Sequence, residues 1–236
     1  MKSIFFLSLI ALLPLFAISQ EIHYGLSSGL TMSRFFGESD KLVNSLSNEL
    51  NDYEDISGFS FRNLSRIGFA MGFFIDYQIK NSFSIQPEMQ YIQKGAKFVG
   101  SGWVATKIGN LYYPFFVNED IIIQSNYIEI TVLAKYSLDI DNLKTFLFAG
   151  PGISYLASSK TKIIVEIEDE SDSKSGNFKG FKKTDAGIIF GGGIALSKTN
   201  IIEIRYHLGL IPLFKNKNEY KIQNSSFTFN LTYIFK

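Results

Sequence analysis

The chain of 236 residues contains no cysteine. Disulfide scaffolds, cysteine-ligated zinc and cysteine nucleophiles are excluded at once. Histidine is scarce as well: His23 and His207 are too few for a histidine-rich metal site. An excess of one charge is missing, since 23 Lys and Arg stand against 22 Asp and Glu, a formal net charge of +1. A nucleic-acid binder would carry a basic surplus. Beyond residues 1–19, no stretch approaches ~18 uninterrupted apolar residues, so no helical transmembrane span is expected. The sequence also lacks a G-x-S-x-G elbow, an H-E-x-x-H pair and a phosphate-binding loop. No catalytic residue, metal or cofactor is predicted.

What the chain has in quantity is apolar and aromatic: 46% hydrophobic, 15% aromatic, 23 Phe and 12 Tyr. That content is too high for disorder. The length fits one domain of the larger all-β kind, or at most two small ones. Residues 1–19, MKSIFFLSLIALLPLFAIS, read as a secretory signal peptide. Lys2 is the positive start, Ile4 to Ile18 carry no charge, and Ala17 and Ser19 are the small residues of a cleavage site. The run is short for a ~20-residue span, which favours cleavage near Ser19-Gln20 over an anchor. The expected division is a leader over 1–19 and a β-barrel domain over 20–236. Export without disulfides fits a bacterial envelope better than a small secreted domain.

From residue 21 onward the chain repeatedly alternates apolar and polar residues, the mark of a strand with two different faces. At the C-terminus, Phe227, Phe229, Leu231, Tyr233 and Phe235 oppose Ser226, Thr228, Asn230 and Thr232. In 200–209, Ile202, Ile204, Tyr206 and Leu208 oppose Ile201, Glu203, Arg205 and His207. Segments 21–31, 66–77, 82–94, 126–136 and 186–196 repeat the pattern, and 145–156 is β-like with ambiguous facing. Gly191-Gly192-Gly193 falls inside one of these strands, as a tight spot in a wall rather than a phosphate loop.

Eight strands are therefore predicted. Connections of about 34, 28, 27 and 14 residues alternate with turns near Lys80-Asn81, Asp139-Asn142 and Ser197-Asn200, the long-outside, short-inside order of an up-and-down membrane barrel. The first connection holds Leu42, Leu46 and Leu50 at four-residue spacing, a short amphipathic helix or a mobile stretch. The third carries the charged run 166–176, expected to be solvated.

Periodicity alone does not say which face points inward. An eight-stranded interior is just wide enough for side chains to fill. Rows of Phe, Ile and Tyr from every strand would overpack it, whereas the opposite face is rich in Gly, Ser, Ala and Thr. An all-β, eight-stranded antiparallel up-and-down transmembrane β-barrel follows, apolar outside and polar inside. Glu88, Glu129, Lys135, Glu203 and Arg205 then sit in the lumen, where unpaired charge is costly. They are expected to pair as an ionic network bracing the barrel, with an ion or proton path as the functional alternative. Tyr77, Phe83, Tyr136, Tyr233 and Phe235 fall beside the short turns, and Tyr91, Tyr155 and Phe227 toward the long connections, as two aromatic girdles require.

The segments 86–98, 126–138, 146–156, 185–196, 203–210 and 224–236 resemble the outer-membrane β-barrel family that includes PorT-like proteins. Glu88, Tyr91, Lys94 and Gly95 match its third strand. Tyr127, Ile128, Glu129 and Ile130 match its fourth, with Thr131 in place of a proline, and Gly150-Pro151 matches its fifth. The resemblance implies outer-membrane lipid as the surrounding, and the barrel-insertion machinery as a partner reading an aromatic-ended last strand. Phe235 fits this, although Lys236 follows it. It also implies a link, for one member, to protein secretion. Two readings stay open: a non-enzymatic membrane barrel with a structural or extracellular recognition role and an unknown partner, and a soluble lipocalin-like carrier of an apolar ligand.

Overall fold

The computed structural model describes residues 21–53, 55–108, 111–140, 143–167, 170–214 and 220–235. The leader over 1–19 with its cleavage position, residues 141 and 142 of the second short turn, and Lys236 lie outside the described residues. Among the described residues are ten strands and one helix. They are β1 (Ile22–Gly37), α1 (Ser39–Asn51), β2 (Ile56–Leu64), β3 (Arg66–Lys80), β4 (Phe83–Ile108), β5 (Leu111–Ile140), β6 (Leu143–Ile167), β7 (Glu170–Asn177), β8 (Thr184–Ala195), β9 (Asn200–Gly209) and β10 (Ile222–Ile234).

Eight of the strands close a ring in the order β1-β3-β4-β5-β6-β8-β9-β10, and every neighbouring pair is antiparallel. The seam is β1 against β10, from Gly25↔Ile234 to Gly37↔Ile222. These are the eight predicted strands. The other two were unforeseen: β2 pairs with the far half of β4, and β7 with the far end of β6.

The second and third long connections are therefore mostly strand rather than loop. β4 has 26 residues and β5 has 30, well over the ~9–11 a tilted strand needs to cross a bilayer. The charged run 166–176 is largely the β6–β7 hairpin, and β7 is exposed along its whole length. Beyond the ring, β2, β4, β5, β6 and β7 make a continuous five-stranded sheet above one mouth of the barrel.

The apolar face points outward. Cross-strand rows such as Met32–Phe227–Tyr206–Phe190 and Leu30–Phe229–Ile204 coat the wall, and nearly all of their side chains are exposed. Ser226, Thr228, Asn230, Thr232, Glu203, Arg205 and His207 are buried on the other side. A soluble lipocalin-like carrier needs the opposite arrangement, so that alternative falls. The facing of 145–156 also becomes clear: Leu147, Ile153 and Tyr155 point out, while Phe146 and Phe148 point in. The two rings lie opposite Gly193 and Gly191 on β8. A Cβ at Gly193 would overlap the Phe146 ring, which explains the glycine run.

Three apolar clusters divide the interior. Leu133, Phe146, Phe148, Ile189 and Ile201 fill the short-turn end. Ala70, Ile92 and Tyr127 form a layer higher up. The largest cluster lies under the outer sheet and includes Phe35, Phe59, Phe61, Phe98, Phe181 and Ile222. Leu42, Leu46 and Leu50 of α1 pack against it, so the predicted amphipathic helix is a structured part of a cap. Asn51 fixes α1 to β2 by accepting from the Phe59 N–H at 2.8 Å and donating to the Phe59 carbonyl at 2.8 Å. Glu38 ties the start of α1 to the entry of β10. Its carboxylate accepts from the Lys221 N–H at 2.8 Å and from Lys41 at 2.6 Å, and these two donors hold it below the usual carboxylate range.

Candidate functional site

Strand alternation places every second residue of β4, β5 and β9 in the lumen, and the chemistry-bearing side chains gather there. Arg205 is the centre of one cluster. Its guanidinium donates to Glu88 at 2.7 Å and to Glu203 at 2.6 and 3.1 Å. All three side chains are 0–1% exposed. Ser27 and Gln86 donate to the two Glu88 oxygens at 3.3 and 3.4 Å, and the guanidinium stands 5.4 Å over the Phe148 ring. Two acceptors around one buried cation leave the group short of one positive charge.

A second cluster surrounds Glu129. It accepts from Gln90, Lys94 and Ser154, each at 2.6 Å, and His207 Nδ1 lies 3.1 Å away. Lys94 also stands 5.7 Å over the Tyr127 ring. Asn224 donates to Asp185 at 3.0 Å and to the Tyr127 hydroxyl at 3.3 Å on the same side of the lumen. Lys135 stands apart from Glu129 and reaches the Arg205 group only through Gln86. It pairs with Asp76 at 3.3 Å, donates to Gln86 at 3.4 Å, and caps the Phe146 ring at 3.9 Å.

The five residues read from sequence are thus all in the lumen, but they do not form one ladder. Glu88, Glu203 and Arg205 are joined directly; Glu129 and Lys135 each find a different partner. Lys94 and Asp76 were missed as network members, although their positions in the alternation put both inward. Asp185 and Asn224 lay just outside the strand limits read from sequence.

The space left among these groups is small. The cavity between Lys94, Glu129, Ser154, Asp185 and His207 holds about 10 Å³, room for about one water. Among the described residues no three His, Asp or Glu converge to hold a metal ion. The lumen charges sit between the aromatic layer at one end and the cap at the other.

A family model described as an outer membrane protein beta-barrel domain matches residues 18–215. The chain belongs to this family. The inverted coat of the outer-membrane barrel is the one its surroundings require. On β4 the wall from Phe83 to Tyr91 spans about 27 Å along the strand at ~3.4 Å per residue, about 20 Å of height at a ~40° tilt, which is most of the ~25 Å apolar band of such barrels. Short turns face the periplasm in this architecture, which puts the cap outside the cell.

Solved barrels of similar build include Ail, the attachment invasion locus protein of Yersinia pestis (13% identity, 91% of this chain and 99% of that one, TM-score 0.40). Neisserial surface protein A (10%, 90% and 97%, 0.38) and the outer membrane protease OmpT of Escherichia coli (11%, 92% and 96%, 0.26) are others. At this identity and overlap none of their activities transfers to this chain. A search of curated proteins returned no match.

On β5 an acid shares the inward face with Val117 of the cap core. Glu119 lies on β5 between Gly100 of β4 and Val165 of β6, and burial pushes its carboxyl up. Its contribution to cap stability is therefore fully present below its unfolded pKa and is lost as pH rises through the higher folded value. Glu119→Gln is expected to remove that loss. Amide exchange of β4–β6 amides in the cap should slow at neutral pH in the variant and match the parent near pH 4. An unchanged exchange rate at neutral pH would count against it.

Proposed function

We propose that this outer-membrane barrel is a non-enzymatic envelope protein that holds a rigid β-sheet platform outside the cell for recognition. Its sealed lumen serves as a brace. The observation that carries this reading is the β4–β5 hairpin. It continues in unbroken register from Phe83↔Tyr136 to Ile108↔Leu111, far beyond the apolar band. Near its tip Trp103 and Phe116 meet edge-on at 5.3 Å, with Leu111 and Tyr113 also exposed. A cluster of exposed aromatics on a rigid sheet, well away from lipid, is the surface signature of a binding patch.

The lumen supports the bracing half. Its charges are hydrogen-bonded to one another and lie between apolar layers, and the free space is that of about one water. Cleavage near Ser19-Gln20 and delivery to the barrel-insertion machinery complete this reading. The secretion-linked role that the PorT-like resemblance implies is not part of this reading.

The test uses a photoreactive amino acid at Trp103 in the full-length protein on intact cells. A discrete adduct that disappears when Phe116 is changed to Ala is the expected result. If illumination at Trp103 gives no adduct while a control site on the lipid-facing wall labels normally, the hairpin is not a recognition surface.

A further inference from the structure

The outward wall of the barrel is not evenly filled. On β8 the outward positions run Ile188, Phe190, Gly192 and Ile194, so the row lacks a side chain in its middle. The result is an apolar groove of about 440 Å³ lined by Phe190, Gly192, Ile194, Ile204, Tyr206 and Phe227. Its upper end is closed by a row of tilted rings in contact, Phe190 to Tyr206 at 5.3 Å and Tyr206 to Phe227 at 4.6 Å. The glycine is held by its neighbours. A Cβ there would come within 3.0 Å of the Phe146 carbonyl and 3.1 Å of Leu147.

We propose that this groove seats one acyl chain of a bilayer lipid. Three observations select that occupant. The groove lies below the upper aromatic row, inside the band where the surrounding solvent is hydrocarbon. Its lining includes no charged or amide side chain, so a peptide backbone entering it would leave its polar groups unsatisfied. Finally, a second copy would bring another convex wall, and two convex walls touch along a line without filling a groove beside it. A flexible methylene chain fills it, and the volume falls within the ~300–1,000 Å³ of ligand pockets. Inside a bilayer the gain is van der Waals contact rather than removal of water. The seat is thus a local preference over the rest of the coat, independent of what the cap recognises.

The test is acyl-chain photolabelling in phosphatidylcholine vesicles containing a phospholipid with a diazirine on its chain. Adducts are mapped by mass spectrometry of the folded full-length protein. Labelling at 202–206 should exceed that at Phe73 and Met89, exposed on β3 and β4 across the ring, by roughly threefold or more. Gly192→Leu should erase the excess while heat-modifiable migration is kept. If that variant fails to fold, Ile204→Trp fills the same space from β9. Equal labelling on both walls, or an excess that survives filling, overturns the proposal. So does an efficient disulfide-linked dimer on oxidation of Ile204→Cys, which is a clean readout in a chain with no other cysteine.

Discussion

Replacing Arg205 by alanine is expected to destabilise the folded barrel by about 3–5 kcal/mol, measured by urea unfolding from lipid vesicles. The side chain is fully buried and holds Glu88 and Glu203 at 2.7 and 2.6 Å. Without it two carboxylates share a sealed site, and only Ser27 and Gln86 remain as donors to one of them. The penalty comes from the orphaned charges rather than from the lost attraction. The triple variant Arg205→Met, Glu88→Leu, Glu203→Leu removes all three charges together. It should therefore recover most of the lost stability, as apolar replacement of buried ion groups often does. A single variant as stable as the parent would mean that the lumen admits water to this cluster, and the bracing role would fall with it.

Phe35→Ala is expected to open the cap while leaving the barrel closed. Phe35 is 1% exposed at the meeting of three parts of the cap. Its ring lies 5.7 Å from Phe181 and 6.1 Å from Phe98. Truncation of a buried phenylalanine costs about 3–5 kcal/mol, here taken from the cap cluster and not from the ring of eight strands. Limited proteolysis on intact cells should then cleave the outer sheet rapidly, while heat-modifiable migration of the remaining barrel persists. Equal resistance of parent and variant would show that the cap does not depend on this cluster.

The wall of the barrel was legible in the sequence because one face meets lipid and the other is crowded. β9 and β10 alternate over most of their length, Ile202 to Leu208 against Glu203 to His207, with Ile201 and Ile234 the exceptions that join the apolar cluster at the short-turn end. The extended halves of β4 and β5 were not legible, for a physical reason. Gly100 and Gly102 carry no side chain to mark a face, yet they are flat places onto which the rings of Phe61 and Phe59 pack. Ile121, Ile122 and Ile123 break the period because the inner face is covered by the cap while the outer face still carries apolar residues. β7, with the sequence ESDSKSGN, has no apolar residue at all. Its strand state comes only from backbone pairing with β6, and no side-chain pattern records that. In the lumen, the sequence showed which residues face inward but not which acid meets which base. Lys135 lies across from Ser84 in register and still pairs with Asp76, a residue on a non-adjacent strand.

The cap also bears on the order in which the molecule is built. Its apolar core draws Phe35 and Phe61 from the first crossing segment, Phe98 and Val117 from the second, Phe181 from the third, and Leu213 and Ile222 from the last. A backbone bond joins the final two, Lys182 donating to Leu213 at 2.7 Å, and Leu213 donating to Ile222 at 2.8 Å closes the last segment on itself. No subset of these segments completes the cluster. All four must be translocated, bearing their charges across the membrane, before any gains its full packing. Once they meet, pulling one hairpin back requires dismantling a core on the far side of the bilayer. The cap is a latch on insertion, set by the last segment to arrive, and it favours slow release from the membrane over fast assembly.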